Sequence, residues 1–231
     1  DISLKGLEIV KKADVVYLEN YTSKLSCSVA DLEKLYGKKI IIANRDLVEQ
    51  KAEQTILKDA KTKDVAFLVI GDVFGATTHV DLMLRAKKAK IKVKIIHNSS
   101  ILTAVGVVGL ELYKYGKVTS IPFENKDVNT PIEVINQNKK NGLHTLVLLD
   151  LKPEQDRFMT IHEALDYLVD NGLKDDLTVV GCAGIGSEDA EIRSGKIKEI
   201  IKENFTQFPQ CLIVPGELHF MEEDALESYK Q

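Results

Sequence analysis

The sequence predicts an α/β protein built from two α/β domains, on three observations. Apolar runs of strand length alternate with amphipathic segments of helix length, which is the βα pattern of a sheet protein with covering helices. Five of the apolar runs stop abruptly at glycine, serine, aspartate or histidine. A polar stretch with two prolines, from Ser120-Ile-Pro122 to Asn129-Thr-Pro131, interrupts the pattern and marks the boundary between domains 1–121 and 122–231.

In chain order, the first element is a helix capped by Ser3, with Leu4, Leu7 and Val10 on one face, followed by the strand Asp14-Val-Val-Tyr-Leu18. Since an α/β sheet more often starts with a strand than a helix, a further strand and its loop are expected ahead of this numbering. The pattern then gives a helix over 51–61, a strand over 65–70, a helix over 79–89, a strand over 92–96 and a helix over 101–115. Beyond the proline stretch come a helix over 132–141, a strand over 144–149, a helix over 160–170, a strand over 177–181, a helix over 189–203, a strand over 211–214 and a last helix starting near 221.

The end of the 65–70 strand is the most informative point. Val65 to Ile70 is an unbroken apolar run, as a strand buried on both faces requires, and it stops at Gly71-Asp72-Val-Phe-Gly75-Ala-Thr-Thr-His79. Gly75 permits close backbone approach, Thr77 or Thr78 caps the next helix, and Asp72 is held at the carboxyl end of a strand. Other strand ends repeat the theme. Val93–His97 runs into Asn98-Ser-Ser100 and a helix near Ile101; Thr145–Leu149 ends at Asp150; Leu177–Gly181 continues as Cys-Ala-Gly184-Ile-Gly186; Cys211–Val214 ends at Pro-Gly216-Glu-Leu-His219. If these strands are parallel, their polar ends gather along one edge of each sheet, where open α/β sheets hold small ligands. The alternative is that Asp72 and its counterparts are turn residues serving their own loops.

Composition narrows the class. The 231 residues are 44% apolar and 29% charged, an ordinary globular balance with material for one large or two modest cores. A net charge of −4 argues against a general nucleic-acid binder, and no apolar run reaches the length a bilayer demands. Three cysteines, Cys27, Cys182 and Cys211, and no signal-peptide pattern point to a reducing cytoplasm. P-loop, nucleophile-elbow and Cys-x-x-Cys motifs are absent, Gly181-x-x-Gly184-x-Gly186 has neither the spacing nor the position of a dinucleotide fingerprint, and His162-Glu163 lacks the second histidine of a zinc helix, so no metal site is expected. The six cations between Arg85 and Lys94 read as a solvated surface.

Several stretches together carry a family resemblance: Leu4-Lys-Gly-Leu-Glu8, Ala13-Asp-Val-Val-Tyr-Leu-Glu-Asn-Tyr-Thr-Ser23, Asp64 to Asp72, Ala76-Thr-Thr-His79, Ile95-Ile-His97 with Ser100-Ile101, Gly142-Leu-His-Thr145 to Asp150, and Leu212-Ile-Val-Pro-Gly216. In these, over nearly its whole length, the chain resembles the diphthine synthases, tetrapyrrole-methylase-like methyltransferases that use S-adenosylmethionine. The resemblance implies two α/β domains with the cofactor in the cleft between them, usually in a homodimer. It implies methylation of the aminocarboxypropyl group on one histidine of translation elongation factor 2, in diphthamide biosynthesis, with S-adenosylhomocysteine as co-product. By matching position, the cofactor contacts would be Asp72, Gly75, Ser100, Ile101, Leu149, Ile185 and Gln210.

The chain also departs from the family pattern. The family's first strand with its Gly-Leu-Gly-Leu-Gly turn lies outside this numbering, Gly184 stands where an arginine is usual, Gln210 stands where a histidine is usual, and no Trp-x-Pro follows Phe123. Methyl transfer to an amine needs in-line alignment and removal of one proton per methyl, for which strand-end placement nominates His79 or Asp150. Two other readings are a methylase of the same fold acting on a small tetrapyrrole, and an α/β binding module without catalysis.

Overall fold

The structure is a computed structural model that describes residues 1–230. The chain divides into two compact units, Asp1–Ile101 and the remainder from Leu102.

The first unit contains α1 (Leu4–Lys12), β1 (Val15–Glu19), α2 (Val29–Tyr36), β2 (Ile40–Ala43), α3 (Arg45–Glu49), α4 (Ile56–Asp59), β3 (Val65–Leu68) and α5 (Val80–Lys88). Its three strands are parallel in the order β2-β1-β3. Alternation along β1 sends Val16 into a cluster with Val10, Ala13, Tyr36 and Ala66, and Tyr17 into one with Val48, Ile56, Leu57 and Leu82. Ser3 starts α1 by accepting the Gly6 N–H at 3.1 Å. Ser28 and Asp31 start α2 with a reciprocal capping box.

Three expectations for this unit need correction. Residues 92–96 join no sheet; the segment is held by Ile91 in the core and by His97 and Asn98 on Asp72, contacts of side chains rather than a backbone ladder. The helix over 51–61 is broken at Thr55, whose φ and ψ of −123° and −97° lie outside the helical region. Neither Thr77 nor Thr78 caps α5: the position before it is His79, and the Thr77 hydroxyl donates to the Val73 carbonyl at 2.6 Å.

The second unit follows from α6 (Ile101–Ala104) and two 3₁₀ turns, Val105–Val108 and Leu112–Lys114, in place of one helix over 101–115; Gly106 and Gly109 lower helix propensity across that stretch. Then come β4 (Thr119–Ile121), α7 (Thr130–Lys140), β5 (Thr145–Leu149), the small hairpin β6 (Leu151–Lys152) and β7 (Arg157–Phe158), α8 (Ile161–Asp170), β8 (Thr178–Ala183), β9 (Glu191–Lys196), α9 (Ile197–Ile200), β10 (Gln210–Val214) and α10 (Phe220–Glu227). The sheet order is β4-β5-β10-β8-β9. The division between units falls after Ile101 rather than between 121 and 122, because Thr119–Ile121 ladders in parallel with Val147–Leu149 and so is part of the second sheet. The helix expected over 189–203 is mostly β9, paired with β8 from Thr178↔Lys196 to Ala183↔Glu191. Glu-Ile-Arg-Ser alternates outward and inward as a strand does.

The second sheet is mixed. β10 is antiparallel to both β5 and β8, so the expected common edge of parallel strand ends does not form there. Instead Gln210, at the start of β10, pairs with Ala183, and Cys211 pairs with Leu148, which brings residue 210 to the carboxyl ends of β5 and β8. Gly216 and His219 lie toward the opposite end.

At that opposite end a buried ionic network ties α10 to the sheet. Glu222 is 1% exposed; its Oε2 binds Lys114 Nζ at 2.5 Å and accepts the His219 N–H at 2.9 Å, and its Oε1 accepts the Glu111 N–H and meets His144 Nε2, both at 2.9 Å. Because the Gly216 N–H donates to His144 Nδ1 at 3.0 Å, the imidazole proton resides on Nε2 and points at Glu222.

Candidate functional site

In the first unit the site is built from the loops at the carboxyl ends of β1 and β3. Glu19 ends β1 with its carboxylate fully buried. It accepts the Tyr21 and Thr22 N–H groups at 3.1 and 3.0 Å, the Thr22 hydroxyl at 2.5 Å and the Ile70 N–H at 3.2 Å, binding the two strand-end loops together.

Asp72 occupies the next turn. Its Oδ1 accepts the Phe74 N–H at 2.9 Å, and its Oδ2 meets His97 Nδ1 at 2.9 Å and the Asn98 N–H at 3.1 Å. Burial alone would raise the Asp72 pKa, but the hydrogen bonds from Phe74, Asn98 and His97 outweigh it and hold the carboxyl below its ordinary range. An ionised carboxylate offers about four acceptor directions, and three are engaged here, so one remains for a ligand donor.

Gly75 and Ser100 touch closely: a Cβ on Gly75 would come within 2.3 Å of Ser100 Oγ, so only glycine allows this approach. Asp72, Gly75, Ser100 and the adjoining Ile101 are thereby brought together by the 71–79 loop packing on 97–101.

In the second unit, the β10 register assembles Leu149, Ile185 and Gln210 at one sheet end. Leu149 points into the core. Gly184 takes φ +62° and leads the turn that presents Ile185, with the Ser187 N–H bonded to its carbonyl at 2.9 Å; an arginine here would be strained. Gln210 is 5% exposed, and its amide is engaged by protein: Oε1 accepts the Ile161 N–H at 2.8 Å, while Nε2 donates to the Phe205 and Gln207 carbonyls at 3.3 and 3.0 Å. Its side chain therefore braces the start of α8. Gln210→Ala is expected to lower stability by about 1–3 kcal/mol through the orphaned Ile161 N–H and the two carbonyls. Denaturant titration checks the loss, and calorimetry on the folded variant is expected to show a smaller change in ligand affinity.

The two nominated proton acceptors differ sharply. Asp150 bonds two backbone N–H groups, its Oδ1 accepting from Leu151 at 2.8 Å and its Oδ2 from Phe123 at 3.0 Å. His79 is 5% exposed and lies edge-on to Phe67 and Tyr21, with ring centroids 5.3 and 6.0 Å apart. Its Nε2 has no hydrogen-bond partner among the described residues, and burial lowers its pKa, keeping it neutral near pH 7.

Residues 1–201 match the family described as Tetrapyrrole (Corrin/Porphyrin) Methylases. The chain belongs to the tetrapyrrole methylase family. Within it, the chain is 44% identical over 239 residues to the diphthine synthase of Methanocaldococcus jannaschii, covering 98% of this chain and 93% of that protein. It is 39% identical over 256 residues to the diphthine methyl ester synthase of Dictyostelium discoideum, covering 100% and 93%. A solved diphthine synthase structure superimposes with a TM-score of 0.93 at 37% identity, covering 100% of this chain and 90% of the other. A crystal structure from Entamoeba histolytica gives 0.91 at 42% identity, covering 100% and 93%. This methylase is thus a methyltransferase of the diphthine synthase branch.

Three features of the methylase's first unit are not among the residues nominated from the sequence: Glu19, Tyr21, and the His97–Asn98 pair on Asp72. Glu19 carries a usable signal, being an acid that ends an apolar strand. The role of His97 depends on a contact across 25 residues, for which spacing offers no signal. Among the described residues no helix is long and apolar enough to cross a membrane, and no three His, Cys, Asp or Glu side chains are grouped to hold a metal ion.

Proposed function

We propose that this methylase transfers methyl groups from S-adenosylmethionine to the aminocarboxypropyl-modified histidine of translation elongation factor 2, in the cytoplasm. The observation that carries this reading is the Asp72–Gly75–Ser100 arrangement at the end of β3, in a chain whose full-length relatives are named diphthine synthases. The residues present suit the cofactor: Asp72 keeps a free acceptor direction for a hydroxyl or ammonium, and Gly75, lacking a Cβ, lets the Ser100 side chain pack directly against the same loop. When bound, the sulfonium supplies an electrophilic methyl group.

The protein's part is mainly positional. Asp72 attracts cationic groups of the ligand, and beside it in the first unit Ile101 supplies an apolar wall that excludes water. The substrate ammonium sheds a proton before each transfer, and both nominated residues keep acceptor capacity for it, His79 through an unpaired but buried Nε2 and Asp150 through a carboxylate that accepts two backbone N–H groups. Calorimetry with S-adenosylmethionine, followed by parallel assays on modified elongation factor 2 and on free porphyrinoids, tests the reading. Saturable binding with activity on the protein alone is expected, whereas activity on porphyrinoids alone would overturn the substrate assignment.

The assembly proposed is a homodimer without nucleic acid. Val107, Leu112 and Tyr113 are 55%, 42% and 81% exposed on the 105–113 segment, an apolar surface suited to burial against a second copy. Sedimentation at micromolar concentration is expected to give a dimer; a monomer would remove this part.

A further inference from the structure

Two thiols of the second unit face each other across its sheet. Cys211 is the second residue of β10 and Cys182 the last but one of β8, and the antiparallel ladder sets them directly opposite, one rung from the Gln210–Ala183 pair. Both are free cysteines. Opposed residues of such a ladder project to the same face and lie about 4.5–5.5 Å apart at Cα, inside the span of about 4.4–6.8 Å that a disulfide bridges. Two buried cysteines placed separately would be small apolar residues and nothing more; direct register is what gives this pair a chemistry.

The two sulfurs are not equivalent. Cys211 is 5% exposed and Cys182 1%. The hydrogen bond with Cys211, and then burial, raise the Cys182 thiol well above its ordinary pKa, so Cys182 keeps its proton. The more exposed Cys211 is therefore the sulfur that an oxidant meets first. The pair also sits at a strand end, where β8 gives way to the Gly184 turn, and strand ends open locally at low cost, enough to admit a molecule as small as hydrogen peroxide. A third polar group belongs to this neighbourhood. The Tyr115 hydroxyl is buried without a hydrogen-bond partner among the described residues, and its pKa is raised by burial and then by Cys182 and Cys211.

We propose that Cys182 and Cys211 are a reversible oxidation site, a dithiol that a hydroperoxide converts into a disulfide joining β8 to β10. The Cys211 sulfur attacks the peroxide; an S–O bond forms, the O–O bond breaks, and Cys211 becomes a sulfenic acid as one water leaves. The Cys182 sulfur then attacks the Cys211 sulfur; the S–S bond forms, the S–O bond breaks, and the departing hydroxide leaves as water with the Cys182 proton. The two thiols lose two electrons and two protons, and the peroxide is reduced to two waters. Exchange with a small thiol restores the pair. The bond would fix the sheet end that carries Gln210 and leads into the turn presenting Ile185, and the proposal stands independently of the methyl-transfer reading.

The test uses the intact folded chain carrying Cys27→Ser, which removes the exposed third thiol. After treatment with hydrogen peroxide, the protein is quenched, unfolded and alkylated with iodoacetamide, and its mass and peptides are measured. Loss of two hydrogens with neither thiol alkylated, a cross-linked peptide pair holding Cys182 and Cys211, and full alkylation after dithiothreitol are expected. Closing the chain between the two residues restricts the unfolded state, so the oxidised form is expected to unfold at a higher urea concentration and to return to the original midpoint on reduction. Adding Cys182→Ala is expected to abolish both the cross-link and the reducible shift. In the parent chain, peptide mapping separates Cys27 and is expected to show the same cross-link. Complete alkylation of both thiols after peroxide, over-oxidation of Cys211 without a cross-link, or a midpoint that dithiothreitol leaves unchanged would overturn the proposal.

Discussion

Glu222→Ala is expected to destabilise the protein by about 3–5 kcal/mol, the largest loss expected here from truncating a single side chain. The substitution takes from Lys114 its shortest ion pair, leaving the Glu111 carboxylate at 4.0 Å and the Glu217 carbonyl, leaves the His144 Nε2–H buried and unpaired, and removes the acceptor for the backbone N–H groups of Glu111 and His219. Chemical denaturation monitored by circular dichroism measures the loss. The pH dependence supplies a second readout. Burial opposes ionisation of Glu222, but the His219, Lys114, Glu111 and His144 contacts lower its pKa from 4.5 to about 2. A depressed carboxyl stabilises the folded state above its unfolded pKa, and the contribution disappears as pH falls from about 4.5 towards 2. His144, lowered from 6.5 by burial, adds a loss that starts below that ordinary value. The parent protein should therefore weaken progressively on acidification, and Glu222→Ala should flatten the limb between about 4.5 and 2. An unchanged acid limb would show that the network contributes nothing to the folded state.

The second large effect is expected at Asp72. Asp72→Ala removes the acceptor for the Phe74 and Asn98 N–H groups and the partner of His97, so a modest loss of melting temperature without ligand is expected. The larger consequence concerns binding: losing a charged acceptor should weaken S-adenosylmethionine by roughly ten- to a hundredfold and remove most of the thermal stabilisation it provides. Melting curves with and without cofactor separate the two. A variant that melts early but gains the full ligand-induced shift would make Asp72 a turn residue that serves only its own loop.

Much of this site is legible from residue order because it depends on local signals. An unbroken apolar run that halts at Gly71-Asp72 marks a strand end, and Gly75 marks a close approach, met here by Ser100. What the order of residues conceals is direction and partnership. Nothing in Cys211-Leu-Ile-Val214 distinguishes a parallel from an antiparallel strand, yet the reversal of β10 places Gln210, rather than Gly216, beside the ends of β5 and β8. Glu191-Ile-Arg-Ser-Gly-Lys196 is too polar to stand out as a strand and is one only because β8 offers it a ladder. Ile40–Ala43 is too short to rise above its lysine-rich flank. Conversely, Val93–His97 has strand composition but takes no place in a sheet. The engagement of Gln210 and Asp150 by backbone partners, against the free nitrogen of His79, becomes visible only in three dimensions.

The most direct test is mass spectrometry of the histidine-bearing peptide from elongation factor 2 that already carries the aminocarboxypropyl group, after incubation with this protein and S-adenosylmethionine. Methyl transfer to that group predicts successive methyl increments on the modified peptide, dependent on the cofactor and absent when the histidine is unmodified. An unchanged peptide mass, with the protein folded and the cofactor bound, would contradict the assignment.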